Sequence, residues 1–186
     1  PFLIEDKDNL YMIPETGENK NIQLYKCTDF PYKWELEKVL MENVVAVDTT
    51  IYKKDDLYWL FTNLKLHEGM SYNVELFLYS SKELVSDKWK SHPLNPIVTD
   101  VTKSRPAGKL FVDQNKLMRP SQNCSHYYGY GMSINRIDKL DENNFEEKIM
   151  FSITPGWQKD VLCAHTFNTC DKIGISDVQI RRKRFF

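Results

Sequence analysis

Cysteine and glycine are scarce in this chain, and long apolar runs are missing. No stretch approaches the roughly 18 consecutive apolar residues that a membrane-spanning helix needs, so no span is read from the sequence. The seven glycines form no phosphate-cradling loop. Cys27, Cys124, Cys163 and Cys170 are irregularly spaced and include no CxxC. That pattern predicts free thiols in a reducing compartment rather than a disulfide framework. Cys124 with His126, and Cys163 with His165, form two C-x-H pairs. Period-two pairing is what any strand produces, and the spacing matches no zinc finger. No metal and no cofactor is expected. A dominant charge is lacking too: 25 Lys and Arg against 26 Asp and Glu leave a formal −1. The chain as a whole is therefore not drawn to nucleic acid or anionic membrane. The basic run Arg181-Arg182-Lys183-Arg184 before Phe185-Phe186 reads as a charged strand edge that discourages aggregation. No Ser–His–Asp or Cys–His order stands out, and no signal peptide is read in these residues. The chain opens on Pro1 and already reads as strand, which suggests a fragment or processed product; its compartment is not assigned.

What is present is a hairpin, repeated. Phe2 to Ile13, Thr49 to Leu60 and Lys109 to Met118 each run apolar strand, polar turn, apolar strand. His165 to Ile175 is a weaker fourth copy. Aligned on Leu10, Leu57, Leu117 and Ile173, the copies are 47, 60 and 56 residues apart. Hairpins at this interval predict a blade-based array, with the innermost strand of each blade around one axis. Blades fall at approximately 1–43, 44–99 and 104–157, with a partial one at 163–186, making a single partial propeller domain. In the first, Asn21 to Cys27 and Trp34 to Met41 supply the outer strands. In the second, Pro93 and Pro96 confine the outer segment to a sheet edge. The expected fold is all-β, of five-bladed β-propeller type, with about three and a half blades in this chain.

Several motifs in fixed order carry a family resemblance. They are Pro1-Phe2-Leu3-Ile4-Glu5-Asp6, Pro14-Glu15-Thr16, Asp48-Thr49-Thr50-Ile51 and Ser91-His92-Pro93-Leu94-Asn95-Pro96. Ser104-Arg105-Pro106-Ala107-Gly108, Arg119-Pro120-Ser121-Gln122-Asn123-Cys124 and His165-Thr166-Phe167-Asn168 follow. Over nearly its whole length the chain resembles the N-terminal domain of plant glucosamine inositolphosphorylceramide transferases. The resemblance implies the five-bladed propeller of the glycoside hydrolase family 43 and 32 superfamily, with one or two further blades before the position of Pro1. It also implies a sugar-containing ligand and a transferase domain as partners.

Propeller glycosidases need a carboxylate base, an acid of raised pKa, and usually a third carboxylate that tunes them. The hairpin alignment superposes Pro1, Asp48, Gly108 and Ala164 at the starts of the inner strands. Asp48 is the one carboxylate in or beside those positions, and is the candidate catalytic or site-lining acid. Where related hydrolases carry a Glu before the third-blade strand, this chain has Arg105-Pro106-Ala107-Gly108. Glu15 ends the second strand of its hairpin, where the same alignment puts Thr62 and Gln122. Arg105, Arg119 and Gln122 cluster around the third blade and suit sugar hydroxyls, carboxylates or phosphates. An internal ion pair, such as Arg105 or Arg119 with Asp48, is the competing reading. His165 and Asn168 are candidate wall residues on the fourth inner strand. These residues, taken with the resemblance, lead to the expectation of a carbohydrate-binding or carbohydrate-processing domain, and the resemblance implies its attachment to a sugar transferase. A glycosidase completed by further blades, and a scaffold without ligand, are the alternatives.

Overall fold

The structure, a computed structural model, describes residues 1–170 and 173–182. Asp171-Lys172 and, from Lys183 on, the end of the basic run with Phe185-Phe186 lie outside the described residues. Among the described residues strand is the dominant regular structure, with one 3-10 turn at Gly17–Asn19, and no described helix is long and apolar enough to cross a membrane. Four antiparallel sheets follow one another along the chain. The first contains β1 (Phe2–Asp6), β2 (Asn9–Ile13), β3 (Asn21–Asp29) and β4 (Lys33–Glu42), in that spatial order. The second contains β5 (Ala46–Lys54), β6 (Leu57–Leu64) and β7 (Glu75–Ser81), with β8 (Lys90–Ser91) and β9 (Val98–Thr99) both paired to β7. Pro93 and Pro96, which have no N–H to donate, fall between these two short edge pieces.

The third sheet is interrupted on its inner side. β10 (Arg105–Pro106) and β11 (Phe111–Asp113) both pair with β12 (Lys116–Asn123), and β13 (Gly131–Leu140) and β14 (Phe145–Ile153) complete it. The fourth is the hairpin of β15 (Val161–Cys170) and β16 (Ile173–Ile180). The polar turns close the hairpins by left-handed backbone. Lys7 and Asp8, and again Gln114 and Asn115, have positive φ at both central positions, the pattern of a two-residue turn matched to strand twist.

Packing is sheet on sheet, and the strands show it in their parity. Tyr58, Leu60 and Leu64 of β6 join Phe2, Ile4, Tyr11 and Ile13 of the first sheet in one core. Trp59 and Phe61, on the other face of β6, join Leu110, Ile137 and Leu140 of the third sheet in another. This explains why residues 57 to 64 read as a continuous apolar run: both faces are buried. Met118, Met132 and Ile134 meet Ala164 between the third and fourth sheets. Each fully buried Leu, Ile or Phe contributes roughly 1.5–3 kcal/mol.

The pairing corrects the register of the sequence alignment. The second strands of the four hairpins open at Asn9, Leu57, Lys116 and Ile173, so alignment on Leu10 and Leu117 was offset by one residue from Leu57 and Ile173. Six positions further on, Glu15, Asn63, Gln122 and Gln179 are equivalent. The counterpart of Glu15 in the second sheet is therefore Asn63. Thr62 points to the opposite face, where its hydroxyl lies 2.8 Å from that of Thr49.

Candidate functional site

A cavity of about 700 Å³ opens where the inner strands of the sheets converge. Glu15 from the first sheet, Asp48 from the second, Gln122 and Tyr128 from the third, and His165 and Asn168 from the fourth all line it. Its size is in the range of small-molecule sites.

Asp48 owes its position to an irregularity. β5 carries a bulge between Val47 and Thr50, and Asp48 sits in it with φ +51°. A bulge bends the strand and re-aims a side chain. Asp tolerates the left-handed region better than most residues because its short side chain bonds locally. The carboxylate Oδ2 accepts from Arg105 Nε at 2.5 Å and from Gln122 Nε2 at 3.1 Å. Gln122, almost wholly buried, also donates to the Pro106 carbonyl at 2.9 Å. Arg105 donates from Nη1 to Asn73 Oδ1 at 2.8 Å, and its guanidinium carbon lies 4.5 Å from the centre of the Tyr128 ring. Of the competing ion pairs, Arg105 with Asp48 forms and Arg119 with Asp48 does not. The pair that forms commits Arg105 Nε, as the amide contact commits Gln122 Nε2.

Glu15 Oε2 accepts the Asp48 backbone N–H at 3.0 Å. Its side chain reaches solvent at the cavity mouth, yet the surrounding chain removes enough water to push its carboxyl above the usual range. The negative Asp48 adds to that rise; the Asp48 N–H and Arg105 oppose it. The two carboxylates therefore sit differently: Asp48 against a guanidinium, Glu15 against a neutral N–H.

On the far wall, Tyr128 Oη lies 2.8 Å from His165 Nε2. His165 Nδ1 is 2.7 Å from Asp177 Oδ2. Asn168 Oδ1 accepts from the Lys109 N–H at 3.0 Å. Phe167 N–H donates to the Ala107 carbonyl at 2.8 Å, which joins the third and fourth inner strands directly. Gly108 makes that approach possible. Its φ is +146°, and a Cβ there would meet the Phe167 carbonyl oxygen at 2.1 Å.

Arg119 does not reach the cavity. It is 1% exposed and forks onto Glu147, Nε to Oε2 at 2.8 Å and Nη2 to Oε1 at 2.7 Å. Nη2 also donates to the Lys103 carbonyl. Positions 119 and 122 are three apart on one strand and so face opposite sides. Gln122 looks to the cavity, and Arg119 into the interface between the second and third sheets. The sequence reading also missed Asn73, Tyr128 and Asp177. Tyr127-Tyr128 in a loop was the available signal, since aromatic residues exposed on loops favour binding surfaces. Asn73 and Asp177 carried none. Among the described residues, no group of three or more His, Cys, Asp or Glu could hold a metal ion, and all four cysteines are free.

The sheets define the class first. A solved exo-β-1,3-galactanase from Phanerochaete chrysosporium, bound to β-1,3-galactotriose, superposes with TM-score 0.64 at 11% identity, covering 97% of this chain and 43% of that one. The Bacteroides ovatus xyloglucan PUL GH43B superposes with TM-score 0.62 at 12% identity, covering 94% and 34%. The fold is that of the five-bladed family 43 propellers. The family description "Glucosamine inositolphosphorylceramide transferase 1, N-terminal" matches residues 1–168, and the chain belongs to that family. A relative of that name from Oryza sativa subsp. japonica is 34% identical over 149 residues, covering 79% of this chain and 20% of the relative. The Arabidopsis thaliana relative is 32% identical over 157 residues, covering 82% and 20%. The chain spans about a fifth of the length of these curated relatives.

Proposed function

We propose that this domain binds a sugar-containing ligand in the axial cavity, as an accessory module of a sugar transferase whose catalytic domain is its partner. The observation that carries the reading is the convergence of Glu15, Asp48, Gln122, Tyr128, His165 and Asn168, from four sheets, on one cavity. Carboxylates, amides, a phenol and an imidazole suit a ligand with many hydroxyls. Binding is favoured over cleavage because Asp48 is held by Arg105 and Gln122. Both donors fall on Oδ2, so that oxygen is occupied before any ligand arrives. The test is a glycan-array screen followed by calorimetry on residues 1–186 and on Asp48→Asn. Hydrogen bonds to a charged group contribute about 1.5–3 kcal/mol, so the variant should bind about tenfold to a hundredfold more weakly. Equal binding by both proteins would remove Asp48 from the site.

One observation favours a second reading, glycoside hydrolysis. Glu15, with its raised carboxyl, stands beside Asp48, and paired carboxylates of unequal environment are how glycosidases divide acid and base roles. Robust turnover of the bound glycans by residues 1–186, abolished by Glu15→Gln, would replace binding with catalysis.

A further inference from the structure

With the His165 imidazole neutral, the chain of contacts from Asp177 to Tyr128 fixes the direction of its hydrogen bonds. We propose that Asp177 and His165 are positioning residues that hold the Tyr128 hydroxyl as a hydrogen-bond acceptor at the cavity wall, so that the ligand group seated there donates a hydrogen, from a hydroxyl or an amine. The proposal rests on the reading of the cavity as a sugar site and narrows what that site selects.

The direction is set at the outer end. Asp177 Oδ1 accepts from both the Thr166 N–H and the Thr166 hydroxyl at 2.7 Å, and Oδ2 faces His165 Nδ1 at 2.7 Å. Partial burial would raise the Asp177 carboxyl. The hydrogen bonds from His165 and Thr166 outweigh burial and hold the group below its usual value. It is therefore an acceptor only, and Nδ1 must carry the ring hydrogen. In the neutral imidazole Nε2 is then a lone pair, and the Tyr128 O–H at 2.8 Å donates to it. Burial pushes the Tyr128 phenol up, with Asp48 adding to the rise, so the hydroxyl keeps its hydrogen at neutral pH. That hydrogen being committed to His165, only oxygen lone pairs remain for a ligand.

Both rings are held in place. Gly129, at φ +69°, lies against the imidazole, where a Cβ would stand 3.2 Å from Cδ2. The Arg105 guanidinium lies over the Tyr128 ring, itself anchored by Asp48 and Asn73. Thr166 lines the cavity, but its N–H and hydroxyl are committed to Asp177; Asp177 is not a lining residue and acts through His165.

Long-range nitrogen–proton NMR on the histidine rings of residues 1–186 tests the direction without any ligand, His165→Gln identifying the signals. At pH 8, His165 should be the Nδ1–H tautomer. Tyr128→Phe should shift its Nε2 resonance, and Asp177→Asn should allow the Nε2–H tautomer, while exposed His67 changes in neither variant. An Nε2–H tautomer in the unmodified chain, or a tautomer indifferent to Asp177→Asn, overturns the proposal. The ligand arm uses methyl glycosides of whichever sugar the array identifies, with their single-deoxy and deoxyfluoro analogues. Tyr128→Phe and Asp177→Asn should each weaken binding about tenfold, and one deoxy analogue should bind the unmodified chain and Tyr128→Phe equally. Unchanged affinity in both variants overturns the selection of a donor. If the unmodified chain binds no sugar, the carbohydrate reading and the ligand half fall together, and the tautomer result alone decides the orientation of Tyr128.

Discussion

Arg105 and Arg119 belong to the same sheet, and their surroundings divide the molecule. Arg119 is buried between two sheets, its fork closed on Glu147, whose side chain is 2% exposed. Arg105 keeps 13% of its side chain exposed and Asp48 keeps 29%. Arg105 shares its donors between Asp48 and Asn73 and lies over an aromatic ring that faces the cavity. A closed pair contributes to structure alone. An open pair leaves atoms such as Asp48 Oδ1 available to a ligand. Residue type is identical in the two places; strand parity and distance from the cavity make the difference.

The sharpest test of that contrast is Glu147→Ala. It strands a buried guanidinium and should cost about 3–5 kcal/mol in urea unfolding, whereas Arg119→Met with Glu147→Leu should restore most of the loss. A small effect of the single change would make the two arginines alike. Asp48→Asn should cost only about 1 kcal/mol, since partly solvated pairs are weak, while removing most ligand affinity. A larger loss of stability than of binding would assign Asp48 to the framework.

Asn63 probes the equivalence of positions between blades. Its amide is wholly buried, and both side-chain polar atoms lack a partner among the described residues. Unsatisfied buried polar groups cost about 1–3 kcal/mol, so Asn63→Leu should be neutral or stabilising by about 1 kcal/mol in thermal melts. Clear destabilisation would mean that the amide is satisfied.

The smallest effect is expected at Glu15. Its carboxyl is raised in the folded chain, so the folded state holds the proton more tightly than the unfolded state. Stability therefore falls as pH rises from its unfolded value through its folded one. At pH 7 the charged Glu15 is a slight burden, and Glu15→Gln should stabilise by about 0.5 kcal/mol or less, allowing for its exposure. That advantage should disappear near pH 4. Melting curves of both proteins between pH 4 and 7 would show it, and a constant difference across the range would refute the assignment.

The hairpins were legible because their turns are written in Lys, Asp, Gln and Asn, residues placed between apolar runs that must cross over. The broken outer strand of the second sheet was legible from Pro93 and Pro96. Register was not, because bulges add residues that composition does not mark: one at Asp48-Thr49 in β5, another between Ala164 and Phe167 in β15. The hairpin alignment brought Glu15, Asp48, Gln122, His165 and Asn168 together as candidates because they lie on or beside the inner hairpins, and all five line the cavity. Arg119 was grouped with them by proximity in sequence, although alternation along β12 already separated it from Gln122. Asp177 lies on an outer strand and Asn73 in a loop, and only three-dimensional packing brings them to His165 and Arg105.

The left-handed backbone at Asp48 restricts how this cavity can vary. Gly, Asn and Asp are the residues that occupy that conformation readily, and others carry roughly 1–2 kcal/mol of strain there. In a stability screen, saturation mutagenesis of position 48 should therefore favour those three residues over longer or branched ones. Among the three the local charge takes two values, and the side chain is never longer than that of Asp or Asn. A Glu reaching one methylene deeper into the cavity would first require the bulge of β5 to be rebuilt. Diversification of ligand preference is thus channelled to residues on relaxed backbone, with Glu15 and Tyr128 the nearest of them.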